Sequence, residues 1–135
     1  MDAAVLNFYA PDAKLGMHQD KSESEQVRAE GSPIISISLG DACLFRFGNS
    51  QSRSGPHQDI ELQSGDLFVF GGAARMTFHG VLKTYPGTAP VELGIRAGRL
   101  NLSMRETGFD DTFDDAVESF AKAFEGTVIK DLNKE

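Results

Sequence analysis

The sequence predicts a mostly β domain, a sandwich, barrel or jelly roll, with one α-helix at its C-terminal end. Three observations point there. Up to residue 105 the chain is a series of short runs, several with apolar and polar residues in strict alternation. Gly, Pro, Ser, Asp and Asn separate the runs at intervals of about ten residues, with no helical pattern between them. A helical stripe occurs only after residue 108. Short strands in such a series bury their faces by stacking two sheets or by closing one, which is what sandwiches and jelly rolls do.

In chain order the candidate strands are V-L-N-F-Y at 5–9, K-L-G-M-H at 14–18, I-I-S-I-S-L at 34–39, C-L-F-R-F at 43–47 and D-I-E-L at 59–62. They continue with D-L-F-V-F at 66–70, M-T-F-H at 76–79, G-V-L-K-T at 80–84 and R-L-N-L-S-M-R at 99–105. Residues 23–32, 49–56 and 85–90 read as loops, being rich in Ser, Gly, Pro and charged groups. Beyond residue 108, Phe113, Val117, Phe120 and Phe124 recur at spacings of 4, 3 and 4, the stripe of an amphipathic helix. Asp111 or Thr112 can cap its start, acidic residues fill its first turn, and Gly126 can end it. The expected division is a β-core over 1–108 and an acidic helix and tail over 109–135, packed on the core or on a partner chain.

At 135 residues the chain is long enough for one domain with a real core. Its net charge of −7 is uneven: residues 1–105 carry −1 and residues 106–135 carry −6. The acidity belongs to the tail, and no cluster of Lys and Arg marks a polyanion site. The longest apolar runs are too short to span a bilayer, and residues 1–20 lack a signal-peptide layout, so a soluble cytoplasmic protein is expected. Cys43, the single cysteine, lies in an apolar run and reads as a buried, inert thiol.

His18 and Asp20 stand two apart, so on a strand they share a face. His79 follows 59 residues later, enough chain to cross a sheet and return on a neighbouring strand. Two imidazoles and one carboxylate suit Fe(II) while leaving coordination positions open. His57, in S-G-P-H-Q-D, reads as surface. In the last strand Arg99, Asn101, Ser103 and Arg105 share one face and Leu100, Leu102 and Met104 the other. The polar face either meets solvent or lines a cavity for an anion, for which an arginine fork is well shaped.

The stretches L-N-F-Y-A-P-D at 6–12, M-H-Q-D-K-S-E at 17–23, S-G-D-L-F-V-F-G-G at 64–72, R-M-T-F-H-G at 75–80 and R-L-N-L-S-M-R-E-T-G at 99–108 together resemble the AlkB family of Fe(II)- and 2-oxoglutarate-dependent dioxygenases. The resemblance runs in order through residues 5–108 and implies a double-stranded β-helix, a jelly-roll variant. It implies iron on His18, Asp20 and His79, and 2-oxoglutarate held by Asn7, Tyr9, Arg99, Asn101 and Arg105, with Arg99 on the distal carboxylate. It further implies O2 as co-substrate and removal of N-alkyl groups from bases in single-stranded DNA or RNA, with release of formaldehyde, succinate and CO2. The alternatives are a 2-oxoglutarate-dependent hydroxylase of a protein or small molecule, and an inactive core.

Against that family pattern, the N-terminal lid of bacterial members has no counterpart before Leu6, Ser22 replaces an acidic base contact, and the loop around Arg53 matches poorly. Arg53 is a candidate phosphate contact, Phe70 and Arg75 are candidate cavity or core residues, and Lys21 and Glu23 are placed near the cleft by adjacency alone. A cupin metal site is disfavoured because no H-x-H occurs.

Overall fold

Residues 1–95 and 97–109 are described by the structure, a computed structural model. The expected C-terminal helix lies outside the described residues. Among the described residues, eight strands form two four-stranded antiparallel sheets. The first contains β1 (Ala3–Tyr9), β8 (Arg99–Arg105), β3 (Ile34–Gly40) and β6 (Leu67–Phe70), in that spatial order. The second runs β2 (Leu15–His18), β7 (His79–Tyr85), β4 (Ala42–Phe47), β5 (Gln58–Leu62). The chain passes between the sheets repeatedly, so each sheet is built from strands distant in sequence, as in a jelly roll. No helix among the described residues is long and apolar enough to cross a membrane.

Alternation within each strand builds the interior. Tyr9, Cys43, Phe45, Leu62 and Val81 form the buried cluster between the sheets, with Phe47, Ile60 and Phe68 packed against it. Cys43 is fully buried, and that burial pushes its thiol above the usual range. The outward face of the second sheet is charged: Arg46 pairs with Asp59 at 2.7 Å, and Leu44 lies between Glu61 and Lys83. The outward face of the first sheet is not. Leu6 stands opposite Leu102, Phe8 opposite Leu100, Ile35 between Met104 and Val69, and Ile37 between Leu102 and Leu67.

Two expectations need correction. The loop expected at 23–32 contains a helix, α1 (Glu25–Glu30), because Ser24 accepts the Val27 N–H at its start and Gly31, at φ 72°, closes it with a left-handed turn. Val27 is the one buried side chain of α1, so the segment has no apolar stripe to read. The strand expected at 76–79 does not form before His79. A 3-10 turn at Gly72–Ala74 precedes it, and the Thr77 N–H is taken by the Ala74 carbonyl rather than by a strand neighbour. The runs expected as 76–79 and 80–84 therefore yield one strand, β7.

Gly80 sets how closely β2 lies on β7. A Cβ there would fall 2.6 Å from the Leu15 carbonyl oxygen and 3.0 Å from Gly16. Gly80→Ala is expected to push β2 away and to cost about 1–3 kcal/mol of unfolding free energy, as overpacking does, checked by denaturant titration.

Candidate active site

β2 and β7 bring the two histidines together: His18 and His79 are directly opposite across the antiparallel pair, with ring centroids 4.5 Å apart. Each ring is oriented from behind. His18 Nδ1 lies 2.8 Å from the Gly16 carbonyl and His79 Nδ1 lies 2.9 Å from the Thr77 carbonyl. A carbonyl only accepts, so each Nδ1 carries a proton and each Nε2 faces the cavity, where it donates to Asp20 when protonated and offers its lone pair to a metal when not.

Asp20 meets both Nε2 atoms. Its Oδ1 is 3.4 Å from His18 Nε2 and 3.6 Å from His79 Nε2, and the three ligand atoms all lie within 4.8 Å of one another. Asp20 does not share a strand with His18, because β2 ends at His18 and Asp20 lies beyond it. Non-strand backbone carries Asp20 to the histidines, fixed from both sides: Gln19 donates through Nε2 to the Met76 and Ser50 carbonyls, and Arg75 Nη1 donates to the Asp20 carbonyl at 3.1 Å. Two imidazoles and a carboxylate arranged this way can hold a divalent cation on one side and leave the other side open.

The electrostatics favour a charged carboxylate. Burial alone would raise Asp20, but hydrogen bonds from His18 and His79 and the charge of Arg105 hold it well below the usual carboxylate range. Burial would lower His18, and its bonds to Asp20 and Gly16 outweigh that and raise it. Metal and proton compete for His18 Nε2, so divalent-metal affinity is expected to fall with pH, about tenfold per pH unit for one displaced proton. Mn(II) titration either side of neutrality checks this. Without metal the raised His18 contributes stability below the ordinary histidine value and loses it as pH rises through the folded value. The depressed Asp20 contributes above the ordinary carboxylate value and loses it as pH falls. The metal-free pair therefore stabilises the fold most between about pH 4 and 6.5.

The inward face of β8 forms the far wall of the same cavity. Arg99 is 1 % exposed, and its Nη2 donates to Ser38 Oγ at 2.9 Å, while Nε and Nη1 have no hydrogen-bond partner. Among the described residues no carboxylate pairs with it. A buried guanidinium with two unused donors fits an incoming carboxylate. Tyr9 stands opposite Arg99 across β1 and β8, as Asn7 stands opposite Asn101. Burial pushes the Tyr9 phenol up, against the pull of Arg99, so it stays a neutral donor. Asn101 donates to Ser36 Oγ at 2.6 Å. Arg105 differs from Arg99 in already having two carboxylates, Asp20 Oδ2 at 3.2 Å and Glu23 Oε1 at 2.7 Å.

All eight residues singled out as ligands or cofactor contacts thus line one cavity: Asn7, Tyr9, His18, Asp20, His79, Arg99, Asn101 and Arg105. Phe70 lines it too and packs edge-on to His79 with centroids 5.1 Å apart. Of the two residues placed near the cleft by adjacency, Lys21 is exposed. Glu23 is 2 % exposed and lies under the site, joined to Arg105 and, through Oε2 at 2.8 Å, to the buried Arg75. Its position suits a support rather than a contact surface. Arg53 sits in the exposed loop over the Phe78 ring, and His57 is exposed and outside the cavity. Ser36 and Ser38 escaped the sequence reading, although the alternation I-S-I-S already set them on the face opposite the isoleucines.

Residues 1–105 match the family model of the 2OG-Fe(II) oxygenase superfamily. The chain is 44% identical over 108 residues to the DNA N(6)-methyladenine demethylase ALKBH1D of Arabidopsis thaliana, covering 77% of this chain and 24% of that protein. It is 40% identical over 107 residues to the alpha-ketoglutarate-dependent dioxygenase AlkB of Escherichia coli, covering 79% of this chain and 46% of that protein. The solved structure of OsALKBH1 matches with a TM-score of 0.71 and 41% identity, over 76% of this chain and 48% of that one. The chain spans less than half the length of each of these relatives.

Proposed function

Since the chain belongs to the 2OG-Fe(II) oxygenase superfamily, as an AlkB-type core, we propose that it is the catalytic part of an oxidative demethylase acting on N-alkylated nucleic-acid bases. The cofactors of the family are Fe(II) and 2-oxoglutarate, with O2 as co-substrate. One observation carries the reading: a single cavity holds three converging ligand atoms at one end and the unpaired Arg99 guanidinium at the other. A metal and a carboxylate-ended cofactor need that combination.

His18, Asp20 and His79 would hold the iron. Arg99, assisted by Tyr9 and Asn7, would take the distal carboxylate of 2-oxoglutarate, while Asn101 and Arg105 border its metal-facing end. When bound, iron and 2-oxoglutarate supply O2 activation, which oxidises the N-alkyl carbon so that it leaves as formaldehyde, with succinate and CO2 as co-products. The chain's own contribution is orientation and dryness. Phe45, Phe68 and Phe70 wall the cavity, and a low-dielectric lining strengthens the grip of Arg99 on an anion.

Arg99→Met provides a separable check. Removing an unpaired buried charge should leave the ligand-free protein as stable as its parent or more so. Stabilisation by added 2-oxoglutarate should vanish. Thermal unfolding with and without the keto acid reads both.

The activity test supplies Fe(II), 2-oxoglutarate and O2 with N-methylated single-stranded DNA or RNA, and measures formaldehyde and succinate. Formaldehyde in step with succinate, dependent on the methylated strand, supports the proposal. Succinate without formaldehyde points to a hydroxylase of another substrate. Neither product, despite bound metal and keto acid, rejects turnover by this core.

A further inference from the structure

We propose that the outward face of the first sheet is the docking surface for residues 113–124 of this same chain, laid across the strands by their apolar stripe. Every outward position on β1, β8, β3 and β6 is apolar, whereas the second sheet turns Arg46, Asp59, Glu61 and Lys83 outward. Leu6, Phe8 and Leu67 are 63 %, 60 % and 61 % exposed and Val69 51 %, so the face runs from edge to edge of the sheet. A continuous apolar face of that extent on a folded domain marks a surface that something covers.

The chain supplies a matching cover. Phe113, Val117, Phe120 and Phe124 fall on one side at 100° per residue, with Asp114, Asp115, Glu118 and Lys122 on the opposite arc. Such a segment buries its phenylalanines on an apolar sheet and turns its charges to water. The path is short. After β8, the Thr107 N–H donates to Asp2 Oδ1 and its carbonyl accepts the Ser24 N–H, both at 2.8 Å, which holds the chain at the end of the sheet beside the start of β1. Residues 109–112 can span up to about 13 Å, and twelve helical residues about 18 Å, against about 14 Å between the outer strand axes of four strands. Reach and length both suffice.

The chain contains no Trp, so one introduced at Leu6 reports on this face alone. In the full chain carrying Leu6→Trp, the indole is expected to be shielded from acrylamide while the protein sediments as a monomer. Adding Phe113→Ser, Phe120→Ser and Phe124→Ser should raise the quenching constant severalfold. An indole as accessible before as after those three changes overturns the proposal, as does shielding that persists with them in place. Shielding lost on dilution, together with a dimer, assigns the face to a second copy and also overturns it. Should the serine variant lose its β circular dichroism, Leu102→Cys with Phe120→Cys decides the matter: an intramolecular disulfide in the monomer supports the docking, and its absence rejects it.

Discussion

Asp20→Ala is expected to remove divalent-metal binding while leaving the β-fold in place. Its Oδ1 is the point on which both Nε2 atoms converge, at 3.4 and 3.6 Å, and it is the one negative charge of the set. Two neutral imidazoles would remain, with the Arg105 guanidinium, now 3.2 Å from Asp20 Oδ2, facing any incoming cation. Outer partners of metal ligands are typically worth 10–100-fold in affinity, so loss of a direct ligand should exceed about a hundredfold. Fold retention follows from Arg105 keeping Glu23 as its partner. Titration calorimetry with Mn(II), a redox-silent probe, gives the affinity, and circular dichroism the fold. Asp20→Asn keeps the shape and should lose nearly as much, which would place the effect on charge. Mn(II) affinity within tenfold of the parent in both variants would remove Asp20 from the site.

Glu23→Ala should be the most destabilising single change among the residues around the cavity. The carboxylate is 2 % exposed and is the counter-ion of two buried arginines, Arg75 at 2.8 Å and Arg105 at 2.7 Å. Removing one partner of a buried ion pair costs about 3–5 kcal/mol, because the remaining charge has neither water nor partner. Among the described residues, Arg75 would be left with the Asp20 carbonyl, and Arg105 with Asp20 and Ser103. Denaturant unfolding measures the loss, and Glu23→Gln, which keeps an acceptor oxygen, should recover part of it. A second consequence reaches the metal set, since both arginines also touch Asp20. Mn(II) affinity of Glu23→Gln should fall by about 10–100-fold, the range for an outer support. A loss under about 1 kcal/mol for Glu23→Ala would mean that water replaces the carboxylate and that the network is not a support.

Strand periodicity made much of this architecture legible. Alternation located most strands to within two residues, and it assigned Arg99, Asn101, Ser103 and Arg105 to one side of β8 whatever that side faced. The H-x-D spacing with a distant histidine singled out three side chains that converge in the structure, although Asp20 reaches the histidines from beyond the end of β2. α1 stayed hidden because its cap and its closing glycine frame six residues with a single buried side chain. Glu23 stayed hidden because its meaning depends on Arg75 and Arg105, 52 and 82 positions away, and no local pattern records a partner that far along the chain.

The sequence by itself determined which side chains share a face, since two-residue periodicity follows from backbone geometry alone. Only the tertiary structure decided which face became the interior. On β8 the arginines and the asparagine turn inward to the cavity, while Leu100, Leu102 and Met104 turn outward, the reverse of an ordinary core strand. The physical reason is that a strand's two faces are equivalent until another layer covers one of them. Here the second sheet and the segment that follows β2 bring His18, His79 and Asp20 to the polar side, so buried arginines find carboxylates or a place for one, and the apolar side is left to be covered from outside.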